Sequence, residues 1–211
     1  MKPYVLTLIL ALFMMIQPAF AQTMKIVAFG DSLTAGYGLA ENESFAAQLE
    51  AALEAKGHDV DVINAGVSGD TTSMGLERID WSVPSDADGV IVELGANDML
   101  RGLSPDQARE NLDEILTRLG EKDLPVLLAG MYAARNLGEE YVASFEAIFP
   151  DLAEKHGTLL YPFFMDGVAG ERSLVLEDGL HPTAEGVALI VTNILPKVED
   201  LIDRIEAAKA G

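Results

Sequence analysis

Hydrophobic residues follow two rhythms along this chain. Short runs that are apolar at nearly every position alternate with longer stretches where apolar residues return every three or four positions. The first kind reads as strands covered on both faces, the second as amphipathic helices. On that reading Lys25 to Phe29, Val60 to Ile63, Val90 to Leu94, Pro125 to Ala129 and Thr158 to Tyr161 are strands. A helix is predicted over Glu43 to Lys56, with Phe45, Ala46, Leu49 and Leu53 on one face and Gly57 as its stop. Others are predicted over Thr72 to Ile79, from Ser104 to about Leu119, over Glu139 to His156 and over Ala184 to Ala208. In Ser104-Pro105-Asp106-Gln107 the serine can cap, the proline suits a first turn and the glutamine completes a capping box. Pro150 and Pro196 are expected to break or kink the helices that contain them.

Strands alternating with helices predict an α/β fold around a parallel sheet. No repeat, low-complexity tract or interdomain linker interrupts the alternation, and 211 residues suit a single domain. In such sheets ligands meet the carboxyl ends of the strands. The loops that follow strands are therefore the places to look for chemistry.

The N-terminus stands apart from this pattern. Met1 to Ala21 has a positive start at Lys2, an uncharged apolar run from Tyr4 to Ile16, and Pro18 ahead of a small-x-small Ala19-Phe20-Ala21. It reads as a secretory signal peptide, with residues 22–211 as the mature domain and a periplasmic or secreted destination. A retained anchor is the competing reading, but the run is shorter than the roughly 18 residues that span a bilayer. No cysteine follows the expected cut, so a lipid-modified N-terminus is excluded. No stable membrane anchor is expected once the signal is gone.

Composition narrows the chemistry. Net charge is −20, and −21 once Lys2 leaves with the signal. Such a surface repels nucleic acid and anionic headgroups. Without any cysteine, a thiol nucleophile, a disulfide framework and a zinc-thiolate site are impossible. Three histidines, His58, His156 and His181, make a multi-histidine metal site improbable. No metal or other cofactor is expected.

Ser32 lies in Gly30-Asp31-Ser32-Leu33, directly after the first strand. A serine hydroxyl is a weak nucleophile that needs a base, and a serine here also suits a helix N-cap. His181, in Asp178-Gly179-Leu180-His181, is the best available base. Asp178 is three residues away, near enough to fix the ring tautomer and free Nε2 for the serine proton; a loop histidine beside an exposed acid is the plainer reading. His58 and His156 each sit next to a glycine near a predicted helix end, where a histidine complements the helix dipole. Two further segments follow strands, Asn64 to Asp70 and Gly95-Ala96-Asn97-Asp98. Each is ordinary turn chemistry alone, yet all four fall on the same edge of one sheet.

These four segments, in this order, resemble the sequence blocks of the SGNH hydrolases, also called GDSL hydrolases. The resemblance runs from about Met24 to the C-terminus. It implies a flavodoxin-like three-layer α/β/α sandwich with a five-stranded parallel sheet, and a serine esterase acting through an acyl-enzyme. By the same resemblance Ser32 is the nucleophile, His181 the base and Asp178 its orienting acid. The oxyanion hole comprises the Ser32 and Gly69 backbone N–H groups and the Asn97 side chain. Asp31, Asn64 and Asp98 are read as turn and network residues. Val92-Glu93-Leu94-Gly95 and Pro162-Phe163-Phe164-Met165 draw the chain toward bacterial members with thioesterase, lysophospholipase and arylesterase activities, which implies small or lipid-like ester substrates. The segment Met131 to Tyr141, with Gly138, is expected either to wall an acyl pocket or to be a plain surface loop. A carbohydrate O-deacetylase on this fold and a non-catalytic flavodoxin-like binding domain remain as alternatives. A Gly-x-Ser-x-Gly elbow and a Gly-x-Gly-x-x-Gly after the first strand are both absent, which disfavours an α/β-hydrolase and a dinucleotide binder. Ser68 is the nearest competitor as nucleophile.

Overall fold

Parallel strands buried on both faces need helices on either side, and the chain supplies them in turn. The computed structural model describes residues 23–211; the expected signal segment, Met1 to Ala21, lies outside them. Five strands, β1 (Met24–Gly30), β2 (Val60–Gly66), β3 (Gly89–Glu93), β4 (Val126–Ala129) and β5 (Leu159–Tyr161), form one sheet in the order β2-β1-β3-β4-β5, every pair parallel. The central strands β1, β3 and β4 are buried almost throughout. β2 is an edge strand, and there the full cover gives way to alternation, Val60 and Val62 buried and Asp61 exposed.

The helices in chain order are α1 (Ser32–Ala35), α2 (Phe45–Ala55), α3 (Thr72–Ser82), α4 (Ala96–Leu100), α5 (Pro105–Gly120), α6 (Glu139–Glu146), α7 (Ile148–His156) and α8 (Ala184–Ala210). Helices α2 and α8 pack together on one face, while α3, α5 and α7 cover the other. The five-stranded parallel sheet and its two helical layers are those expected from the sequence. The core lies between the layers, with Phe29, Phe45, Phe145, Phe149 and Phe164 among its largest buried side chains.

Two local expectations are corrected and a third, the break near Pro150, is placed. Ser104 precedes α5 in an extended conformation and Pro105 opens the helix, but no side-chain cap bond forms, so the capping box is absent. Pro150 sits in the first turn of α7, so the break falls earlier, at Ala147 between α6 and α7. Pro196 does not divide α8, which is one continuous helix. Pro196, which cannot donate to the Thr192 carbonyl, lies with Thr192 on the exposed side of the helix.

The strand order reverses direction at β1, which lies between β2 and β3. That switch point opens a crevice at the carboxyl ends of β1 and β3, and the turns after β1, β2 and β3 all empty into it.

Candidate active site

Beyond Gly30 the chain turns at once into α1. Asp31 caps that helix, its Oδ1 accepting from the Leu33 N–H at 2.9 Å. Ser32 is the first helical residue and only 8 % exposed. Gly30 has no room for a side chain, since a Cβ there would lie 2.6 Å from Glu93 Oε2 and 2.7 Å from the Glu93 carbonyl.

Ser32 Oγ lies 2.9 Å from His181 Nε2, and His181 Nδ1 lies 2.6 Å from Asp178 Oδ2. The other Asp178 oxygen accepts the Leu180 and His181 backbone N–H groups at 2.9 and 3.0 Å. The hydrogen bond from the His181 ring, and then these two N–H groups, hold Asp178 down at about 2. An ionised carboxylate only accepts, so Nδ1 carries the ring proton and Nε2 is left to receive the serine hydroxyl. The loop is held by backbone bonds from Leu176 N to His181 O (2.7 Å) and from Thr183 N to Leu174 O (2.9 Å). Tyr37 packs against the imidazole at a centroid distance of 4.4 Å.

The donor side of the site forms from the turns after β1, β2 and β3. Gly69 adopts φ +89°, a backbone region that suits glycine. Among the described residues neither its N–H nor that of Ser32 has a protein acceptor. Asn97 reaches the same place, but its Nδ2 already donates to Asp31 Oδ2 at 2.9 Å and to the Asp70 carbonyl at 3.0 Å. It joins the turns as well as facing the crevice.

Beneath these turns lies Arg78, 5 % exposed, on α3. Its guanidinium donates to Asp70 Oδ2 at 2.5 Å, to the Ala65 carbonyl at 2.9 Å and to the Gly30 carbonyl at 2.8 Å, and lies over the Phe29 ring. It therefore ties the ends of β1 and β2 to the residue after Gly69. Asp98 accepts from both the backbone and the hydroxyl of Thr72, and Asn111 donates to that hydroxyl. Burial raises Asp98 above its ordinary value. Burial also raises Asp31, to about 6, against the hydrogen bonds from Leu33 and Asn97. Asn64 Oδ1 accepts from Gly66 N–H, as a turn residue does.

A cavity of about 300 Å³ opens beside Ser32 and His181. Its walls are mostly apolar: Met99 and Leu100 from α4, Met131 and Tyr132 after β4, and Phe163 and Met165 after β5. Tyr132 stacks on Phe163 at 4.4 Å. Of the segment Met131 to Tyr141, only the first two residues wall this cavity. Leu137, Gly138 and Tyr141 line a separate one beside Pro105 and Asp106. His156 bonds Asp113 on α5, and His58 approaches Glu199 on α8; neither lines the cavity. Ser68 is exposed and bonds no histidine. Among the described residues no group of three or more His, Asp or Glu is placed to hold a metal ion. Arg78, Tyr37, Met99 and Leu100 were not singled out from the sequence, whereas Met131 and Tyr132 belong to the segment expected to wall a pocket. The one hint was a charged residue at position 78 in a helix otherwise pointing Ile79 and Gly75 inward.

The GDSL-like lipase/acylhydrolase family pattern matches residues 28–189. The esterase TesA of Pseudomonas aeruginosa is 34% identical over 203 residues, 96% of this chain and 100% of its own length. The thioesterase 1/protease 1/lysophospholipase L1 of Escherichia coli strain K12 is 33% identical over 186 residues, 88% of this chain and 87% of its own. Among solved structures, AlinE4, described as an SGNH-hydrolase family esterase, superposes with a TM-score of 0.73 at 48% identity, covering 86% of this chain and 98% of that one.

Proposed function

The chain belongs to the GDSL-like lipase/acylhydrolase family, and from that premise we propose that it hydrolyses carboxylic esters through an acyl-enzyme formed on Ser32. The observation that carries the reading is the unbroken chain Asp178–His181–Ser32, with contacts of 2.6 and 2.9 Å. His181 takes the serine proton as Oγ attacks the acyl carbonyl. The backbone N–H groups of Ser32 and Gly69, with the Asn97 amide, receive the oxyanion. His181 then gives its proton to the departing alcohol or thiol as the carbonyl–leaving-group bond breaks. Water repeats the sequence on the acyl-enzyme, releases the acid and restores Ser32. Asp178 keeps the imidazole in the required tautomer and offsets its charge when protonated. No metal enters any step.

The apolar walls of the cavity favour an acyl chain over a polyhydroxyl sugar, which would need a row of hydrogen-bonding partners. We therefore place aryl esters, acyl thioesters and lysophospholipids ahead of acetylated carbohydrates. Export to the periplasm or medium rests on Met1 to Ala21 as a cleaved signal. Among the described residues no helix is long and apolar enough to cross a membrane.

The test is Ser32→Ala assayed on a chromogenic short-chain ester. A loss of at least about 10³-fold in kcat is expected. Turnover at the wild-type rate would overturn the assignment.

A further inference from the structure

Glu93 ends β3 directly beneath the nucleophile turn, and the mechanism above does not use it. Its side chain is fully buried. Both donors that reach it converge on one oxygen: the Thr34 hydroxyl donates to Oε2 at 2.7 Å and the Asp31 N–H at 3.3 Å. Those two donors flank Ser32, one residue before it and two after. Gly30 leaves the space that this contact fills, because a Cβ there would collide with Oε2. The end of β3, beside that of β1, thus holds the first turn of α1 at both ends.

The other oxygen, Oε1, is buried and has no hydrogen-bond partner. Nor does Glu93 form an ion pair with any cation among the described residues. The buried cation of this region, Arg78, is engaged by Asp70 and two backbone carbonyls. The neighbouring charged side chain is instead a second carboxyl group, that of Asp31. An ionised carboxylate here would keep one oxygen bare, without a counter-charge and against a like charge. A carboxylic acid leaves Oε1 equally without a partner but carries no uncompensated charge, and its carbonyl oxygen Oε2 still accepts from both donors. We propose that Glu93 is a positioning residue for Ser32 and that it works as an uncharged acid. Burial, reinforced by Asp31, pushes Glu93 well above the ordinary carboxyl range, in agreement with that geometry. The inference rests on Ser32 being the nucleophile.

The experiment compares wild type, Glu93→Gln, Glu93→Met, Thr34→Val and Ser32→Ala for kcat, KM and the rate of labelling by a fluorophosphonate. An infrared difference spectrum of wild type minus Glu93→Gln is recorded near neutral pH. Glutamine offers its carbonyl to the same two donors, so it should keep kcat within about twofold. Methionine keeps the volume and removes the acceptor. It should lower kcat and the labelling rate together by about 10- to 100-fold, with KM near the wild-type value. Thr34→Val, which removes one donor, should fall between wild type and Glu93→Met. The difference spectrum should contain the carbonyl stretch of a protonated carboxyl group, shifted in heavy water. A folded Glu93→Met variant with full kcat overturns the positioning role, and if that variant fails to fold, full kcat in Thr34→Val does so. A glutamine variant as impaired as the methionine one, or a spectrum without the acid band, overturns the uncharged state. Activity surviving in Ser32→Ala would instead remove the nucleophile assignment, so the two failures are distinct.

Discussion

The Asn97 side chain donates from a single nitrogen to the carboxylate of Asp31, 2.9 Å away, and to the carbonyl of Asp70 at 3.0 Å. A single side chain of α4, four residues beyond β3, thereby fastens the turn that follows β1 to the turn that follows β2. An amide nitrogen has two hydrogens, and both are engaged in the unliganded site. To serve an oxyanion, Asn97 must share one of these bonds, so its position and its donation are the same feature.

That double use gives Asn97→Ala two effects. Loss of an oxyanion donor should lower kcat by about 10²- to 10³-fold. Loss of two hydrogen bonds to partly buried acceptors should also lower stability by about 1–3 kcal/mol. Kinetics on a chromogenic ester and a urea titration check the pair. A drop in kcat with unchanged stability would mean that the contacts to Asp31 and Asp70 hold nothing together.

Asp178→Asn should reduce kcat, because an asparagine can orient the imidazole in the wrong tautomer and leaves its charge unbalanced. The fall for a buried orienting aspartate is about 10⁴-fold. Asp178 is partly exposed, so water substitutes in part and a loss of about 10²- to 10³-fold is expected. Since Asp178 sits at about 2, it stays ionised as pH falls through the weakly acid range. Acid inactivation above about pH 4 should therefore survive in a form that does not trace to this group. Steady-state rates across pH for wild type and Asp178→Asn make the comparison.

Arg78→Met should destabilise the fold by about 3–5 kcal/mol, as it leaves the buried Asp70 carboxylate without its partner. It also strands the carbonyls of Gly30 and Ala65. Arg78→Lys should rescue only part of this loss, because an ammonium cannot reach three acceptors in one plane. Urea midpoints of the three proteins measure it.

Stability should fall as pH rises from about 4 toward neutrality. In the unfolded chain carboxyl groups lose their protons near ~4. Folded, Glu93 is raised well above that value by burial and Asp31 is raised to about 6, so the native state binds more protons over this window. The unfolding free energy then declines by about 1.4 kcal/mol per pH unit for each such proton. Glu93→Gln should remove one proton's share of that slope while leaving that of Asp31. Urea denaturation at several pH values between about 4 and 7 gives both slopes.

Much of the scaffold was legible because its strands are short apolar runs and its helices amphipathic. The positions that carry the proposed chemistry were legible for another reason: Ser32, Gly69 and Asn97 closely follow β1, β2 and β3, and Asp178 and His181 sit together just ahead of the last helix, in the loop that follows β5. Ser32 and the Asp178–His181 pair are adjacent only after folding, yet each segment announced itself. The short helices α1 and α4 were not visible, since they are set by turns at Asp31 and Gly95 rather than by any period. Arg78 was unreadable for a different reason. Its acceptors come from three stretches of chain, and a single charge on an amphipathic helix looks like a solvated face until the strand ends are placed. Glu93 did leave a trace, as the lone acid inside Val90 to Leu94. Of the cavity walls only Met131 and Tyr132 fell in a segment expected to wall a pocket; the rest left no trace, because they come from several loops whose meeting depends on packing.

The arrangement of those loops sets four cavity-wall residues apart from the proposed oxyanion donors. Ser32, Gly69 and Asn97 follow β1, β2 and β3, while Met131, Tyr132, Phe163 and Met165 follow β4 and β5. The proposed oxyanion donors thus follow one half of the sheet edge, while Asp178 and His181 share the region after β5 with part of the cavity wall, and Met99 and Leu100 add to that wall from α4. Thioether side chains reshape easily around a guest. Remodelling Met131, Tyr132, Phe163 and Met165 while keeping Asp178 and His181 should alter which acyl groups are accepted without removing the proposed nucleophile, base or oxyanion donors, which makes those four residues the natural target for redesigning selectivity.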